Sequence, residues 1–102
     1  MVSKQEHAQE VVVFKLKPGV GEREYLDAAE SIDAWLRRQP GFVRRRLTKA
    51  VGGDQYIEVA EWRTVAEAEA AAAASMSEPS LARVFSMLEE QGTLFLIGGP
   101  VD

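Results

Sequence analysis

Trp62 and Glu58 are the two residues of this chain best placed to do chemistry together. Both fall in the alternating run 55–62, where Tyr56, Glu58, Ala60 and Trp62 project from one face of a strand and Ile57, Val59 and Glu61 from the other. If that first face is turned toward helices, Glu58 is a carboxylate in an apolar setting. Desolvation raises its pKa and suits it to take a proton from a phenol or an enol. The same spacing has a plainer reading, in which Glu58 pairs across a hairpin with an arginine of the preceding strand and Trp62 is core. Both readings stay open, because alternation alone does not say which sheet face is covered.

Arg44, Arg45 and Arg46 form the second group. Strict alternation from Phe42 puts Arg44 and Arg46 on the face of Phe42, and Arg45 on the face of Val43 and Leu47. Arg44 or Arg46 could bind an anionic substrate, or the run could make cross-strand and interface ion pairs with Glu58 or Glu61. Phe14, Tyr25, Trp35, Tyr56, Met76 and Phe85 could line a substrate pocket, although at strand or helix spacing each also serves as core. The alanine tract 70–74 either leaves room for a ligand over a sheet or is simply good helix.

Other chemistries find no residues to carry them. The 102 residues contain no Cys and one His, His7, so thiolate catalysis and an ordinary zinc site are excluded and no metal is expected. No serine has a His/Asp partner in evidence. Gly19-Val20-Gly21 lacks the third glycine of a phosphate loop, and Glu22 and Glu24 would repel a phosphate there. Twelve Lys and Arg against sixteen Asp and Glu give a net charge of −4, which disfavours nucleic acid as a partner. No apolar run approaches the roughly 20 residues of a membrane span, and the N-terminal MVSKQEHAQE has no signal-peptide core, so no membrane partner and a cytoplasmic address are expected.

The elements that must position these residues follow in order. A composition of 46% apolar and 27% charged residues in 102 positions predicts one domain, 1–102, with loose ends at 1–9 and 98–102. The β-branched run 10–17 is a first strand, with Val12, Phe14 and Leu16 on one face and Val11, Val13 and Lys15 on the other. A helix over 22–38 carries Tyr25, Ala28, Ala29, Ile32, Trp35 and Leu36 on one stripe and ends at Pro40-Gly41. Strands over 42–50 and 55–62 flank the turn Val51-Gly52-Gly53-Asp54. Thr64-Val65-Ala66-Glu67 is a capping box that opens an alanine-rich helix to about 76. Ser77-Glu78-Pro79 interrupts it, a third helix runs to about 90, and 93–97 is the last strand. The order β-α-β-β-α-β predicts a ferredoxin-like α+β fold: one antiparallel sheet with its helices on one face. Val11, Val13, Val43, Leu47, Ile57 and Val59 predict that the other face is apolar too, which calls for a second copy of the chain packed sheet to sheet. RNA readers share this plan, but the glycine- and aromatic-rich signature of their third strand is absent.

Four pieces in this order, EVVVFKLKPG, PGFVRRRL, YIEVAEW with its capping-box helix, and SEPSLARVFSML, resemble the antibiotic biosynthesis monooxygenase-like domain of the dimeric α+β barrel superfamily. The resemblance spans 10–97. It implies a homodimer whose sheets pack into a barrel, with a small-molecule pocket between sheet and helices in each subunit. Such domains include cofactor-free oxygenases of polycyclic aromatic phenols, haem-degrading enzymes and quinol oxygenases. The pathway oxygenases pair a Trp at the end of the third strand with an Asn four residues earlier. Trp62 matches the Trp, whereas Glu58 stands at the Asn position, and the chain has no Asn. Their Arg in the later helical region corresponds most nearly to Arg83. The haem-degrading branch needs a His on the helix after that Trp, where this chain has alanine. The resemblance thus implies a cofactor-independent monooxygenase acting on a small aromatic or enolisable compound, with Trp62 and Glu58 at work and no cofactor. The alternative is a non-catalytic, ligand-binding or accessory dimer.

Overall fold

A computed structural model describes residues 6–101 of the chain. The elements are β1 (Glu6–Phe14), α1 (Glu22–Leu36), β2 (Phe42–Lys49), β3 (Tyr56–Thr64), α2 (Val65–Ser75), a 3₁₀ turn (Pro79–Leu81), α3 (Ala82–Ser86) and β4 (Leu94–Gly98). The sheet order is β2-β3-β1-β4 and every neighbouring pair is antiparallel. This is the expected ferredoxin-like α+β plan. Among the described residues no helix is long and apolar enough to cross a membrane.

The register settles the faces. Ala8, Glu10, Val12 and Phe14 of β1 stand opposite Trp62, Ala60, Glu58 and Tyr56 of β3. Ala8, Phe14, Tyr56, Ala60 and Trp62 belong to the buried core, so this row is the helix-covered face. Phe95 and Ile97 join it from β4, opposite Val12 and Glu10. On the open face lie Val11 and Val13, Ile57 and Val59, and Leu94 and Leu96, the last two about half exposed at 48% and 54%.

Three expectations need correction. First, β1 starts at Glu6: residues 6–9, expected at a loose end, are paired strand, with Ala8 buried against Trp62. Their polar letters hid the strand because the open-face positions can be polar. The expected ends at 1–5 and 102 lie outside the described residues, and Gly98 closes β4. Second, β1 stops at Phe14 because 15–17 change partners. Leu16 bridges Leu88, Lys17 N–H donates to Met87 O at 2.9 Å, and Glu89 N–H donates to Lys15 O at 3.0 Å. That exchange draws 87–89 out of helix, so α3 ends at Ser86 instead of near 90. Third, β2 carries a bulge between Phe42 and Arg44. One extra residue reverses the parity of all that follow. Arg45 and Leu47 therefore stand on the covered face, opposite Ala60 and Glu58, and Arg44 and Arg46 on the open face, opposite Glu61 and Val59.

Two local devices fix β3 and α2 against the sheet. The Thr64 hydroxyl accepts from Glu67 N–H and donates to the Glu67 carboxylate, both at 3.1 Å, closing the capping box. Gly41 sits at φ +83°, and a Cβ there would collide with the Glu67 carboxyl. Only glycine meets both demands, which explains the Pro40-Gly41-Phe42 turn.

Candidate active site

Between the covered sheet face and the helices lies a cavity of about 680 Å³, within the usual range for small-molecule sites. Its floor is Glu10, Val12 and Phe14 from β1 and Glu58, Ala60 and Trp62 from β3. Tyr25, Ile32 and Trp35 of α1 form one wall. Ala71, Ala72 and Ala73 of α2 form another, so the alanine tract does border open space. Met76, Phe85, Phe95 and Glu90 are also among the lining residues, Met76 being 80% exposed and Phe85 38%.

Trp62 is 1% exposed. Its ring meets Phe42 edge to face, centroids 5.5 Å apart. Its Nε1–H donates to Glu10 Oε1 at 3.1 Å. Burial raises the Glu10 carboxyl above its ordinary value near 4.5; the indole N–H pulls it down, and the charge of Glu58 raises it again.

Glu58 is engaged differently. Arg45 Nε donates to Glu58 Oε2, and Arg45 Nη1 reaches Asp33 Oδ1 of α1 at 3.3 Å. The Arg45 side chain is 8% exposed and that of Glu58 16%. Burial works against the Arg45 charge, but Glu58, Tyr25 and Asp33 outweigh it, and the guanidinium stays above its ordinary range. The Arg45 Nη2 group is buried with no hydrogen-bond partner among the described residues. Tyr25 is its neighbour, and burial, with the Glu58 charge, pushes the phenol up to about 12, so at neutral pH Tyr25 keeps its proton.

Of the site residues expected from sequence, Trp62, Glu58, Phe14, Tyr25, Trp35, Met76 and Phe85 meet at this one cavity. Four do not. Tyr56 stacks behind Phe14, centroids 5.5 Å apart, and spends its hydroxyl on Glu22 Oε1 at 2.7 Å. Arg44 lies on the open face, bound side-on to Glu61 at 2.6 and 3.3 Å. Arg46 is on the same open face through the bulge, and Arg83 is an exposed residue of α3. The cross-hairpin ion pair to Glu58 does form, with Arg45 as its arginine. Glu10 was missed. Its signal was parity: the face of Val12 and Phe14, extended back by two, contains Glu10. Among the described residues no group of three His, Asp or Glu side chains is close enough to hold a metal ion.

No family model matches the chain, and no curated protein matches it in sequence. Solved structures share its fold. SnoaB, a cofactor-independent oxygenase from Streptomyces nogalater, in a form with one asparagine replaced by alanine, matches with a TM-score of 0.74 and 20% identity over 91% of each chain. A monooxygenase from the gene ActVA-Orf6 of Streptomyces coelicolor, solved with the ligand nanaomycin D, matches with a TM-score of 0.64 and 15% identity over 95% of this chain and 89% of that one. A conserved protein from Methanosarcina mazei Go1, whose name states no activity, matches with a TM-score of 0.72 and 12% identity over 96% of each. The fold is that of the antibiotic biosynthesis monooxygenase-like domains, and a fold is not by itself a function.

Proposed function

We propose that this chain is a cytoplasmic, cofactor-independent oxygenase of a small aromatic or enolisable compound. The observation that carries the reading is the cavity itself: an apolar chamber of about 680 Å³ whose floor holds an indole N–H and two carboxyls, Glu10 and Glu58. Named oxygenases of the same fold support it. Carbon bound between aromatic rings is oxidised by dioxygen once it has lost a proton. The enolate gives one electron to O2, the radical pair joins as a C–O bond, and the hydroperoxide loses water to leave a ketone. One CH2 and one O2 become one C=O and one H2O, so atoms and electrons balance without a further reductant. In this reading Trp62 forms the wall against the rings, and Glu58, held by Arg45, accepts a hydrogen bond from a substrate hydroxyl.

The open sheet face supports a second element of the proposal, a homodimer. Val11, Val13, Ile57, Val59, Leu94 and Leu96 form a continuous apolar row on that face, and a second copy of the same sheet is the cover that matches it.

The test is dissolved-oxygen uptake with 1,8-dihydroxyanthrone and hydroquinones, read against a blank without protein. Protein-dependent uptake that falls at least about tenfold in Trp62→Phe and Glu58→Gln is the expected result. Uptake equal to the blank across the panel, together with tight ligand binding, would favour the accessory role instead.

A further inference from the structure

Glu10 is a half-buried titratable group on the cavity floor that the oxygenase reading leaves without a task. It stands on β1 opposite Ala60, so the smallest residue of the facing row leaves space above it. The Trp62 N–H holds Oε1 at 3.1 Å and thereby sets the plane of the carboxyl. Among the described residues no donor reaches Oε2. Glu58 differs in its partner, because Arg45 Nε donates to its Oε2 and pairs its charge. The two carboxyls are therefore not equivalent: the charge of Glu58 is paired by a guanidinium, whereas Glu10 is held only by a neutral indole N–H.

The charged and titratable groups around Glu10 also limit what can bind. Glu58 faces it from β3, Tyr25 from α1 and Glu90 from the segment before β4. From α2 come alanines and Ser75, and from β4 Phe95. None of the lining residues is Lys, Arg or His. Arg44 and Arg46 lie on the other side of the sheet. Arg45 stands on the covered face opposite Ala60, but its Nε and Nη1 are engaged by Glu58 and Asp33, so a ligand carrying a carboxylate would bring a like charge to Glu10, Glu58 and Glu90 with Arg45 already shared between two carboxylates.

We propose that Glu10 is the proton acceptor of this site and that its substrate is an uncharged hydroxylated aromatic. The inference rests on the oxygenase reading and deepens it. Glu10 Oε2 takes the proton from the benzylic carbon or phenol oxygen. The C–H or O–H bond breaks, an O–H bond forms on Glu10, and the electron pair stays on the substrate as the enolate that dioxygen then oxidises. Glu58 acts as a positioning residue through its substrate hydroxyl contact. Glu10 returns the proton to the peroxide anion formed with dioxygen, and the hydroperoxide then loses water, so the carboxylate is free again when product departs. Burial strengthens Glu10 as a base by bringing its pKa nearer to that of the acid it must deprotonate.

The experiment separates proton transfer from oxygenation. Purified protein is mixed anaerobically with 1,8-dihydroxyanthrone, and the enolate absorbance is followed from pH 4 to 8. Tryptophan fluorescence reports binding. Wild type is expected to form the enolate band, with an acid limb whose midpoint lies above the ordinary carboxylate value. Glu10→Gln keeps an acceptor for the Trp62 N–H and should bind within about twofold while losing the band by about 10²-fold. Glu10→Asp should restore part of it, and the 2-carboxylate analogue of the anthrone should bind at least about tenfold more weakly than the neutral parent. A band of equal size and pH midpoint in Glu10→Gln overturns the proposal, as does equal binding of the carboxylate or no binding of the neutral anthrone. Admitting air then tests the other reading. A band without oxygen uptake ends the oxygenase reading and upholds Glu10 as base. Uptake undiminished in Glu10→Gln upholds the oxygenase and removes Glu10.

Discussion

Two arginine–glutamate pairs lie side by side on the same two strands and do different work. Arg44–Glu61 and Arg45–Glu58 both cross from β2 to β3, but they project from opposite faces of the sheet. Arg44 is 67% exposed and its partner 36%; Arg45 is 8% exposed and its partner 16%. Arg44 and Glu61 exchange water for each other at small gain, since salt and solvent screen both. Arg45 and Glu58 have given up most of their water, so each depends on the other. A one-residue bulge thus turned one of three consecutive arginines from a surface charge into a structural one at the edge of a ligand cavity.

Breaking one member of each pair sharpens that contrast most. Arg45→Met leaves Glu58 unpaired beneath the helices and should lower unfolding stability by about 3 kcal/mol, near the lower end for buried pairs because Glu58 keeps some solvent. Arg44→Met should shift the urea midpoint by little beyond scatter. A double variant, Arg45→Met with Glu58→Leu, should recover most of the lost stability, since the penalty lies in the orphaned charge. Equal losses in the two single variants would remove the distinction between the faces.

The faces also differ in what covers them. Helices bury one, and the other presents the apolar row proposed to meet a second copy of the chain. Val59→Lys puts a charge in the centre of the open apolar row and should halve the mass seen by sedimentation, while the monomer's helical circular dichroism persists. Glu61→Gln, at the polar end of that face, should leave the mass unchanged. A Val59→Lys protein that sediments as wild type would mean that this face is not the interface.

These differences were only partly legible in the sequence. Period-two alternation in 55–62, the helical stripe of Tyr25 to Leu36, the capping box and the Pro40-Gly41 stop each have a local physical cause, and together they specify the fold. The covered side of β3 needed the third dimension. So did the bulge after Phe42, since Val43-Arg44-Arg45-Arg46 contains no glycine or proline to announce an extra residue. Parity counted across it placed the wrong arginines beside the cavity. Glu10 was lost for a different reason: it stood at the expected start of β1, where a polar residue looks like an end. Ala8, buried beyond it, shows that the strand continues.

The smallest effect expected is one of sign, and it compares the carboxyls of the two faces. Glu61 is held below its ordinary value first by the hydrogen bond from Arg44, so the stability it contributes is present above about pH 4.5 and is lost as pH falls through its folded value. Glu10 is held above by burial, so the inequality reverses. Below about 4.5 both its folded and unfolded forms are protonated and nothing is lost. As pH rises, the unfolded chain releases its proton first, and the penalty on folding grows until the folded value is passed and stays constant above it. Glu10→Gln removes that penalty and retains the acceptor for Trp62. Relative to wild type it should therefore gain stability as pH rises above about 4.5, whereas Glu61→Gln should lose it on the climb up to about pH 4.5 and stay level beyond. Urea midpoints at pH 3.5, 5 and 7, with unchanged m, read both slopes. If the two variants moved in the same direction, Glu10 would have to be as well solvated as Glu61, and the covered face would hold no desolvated carboxyl to act as a base.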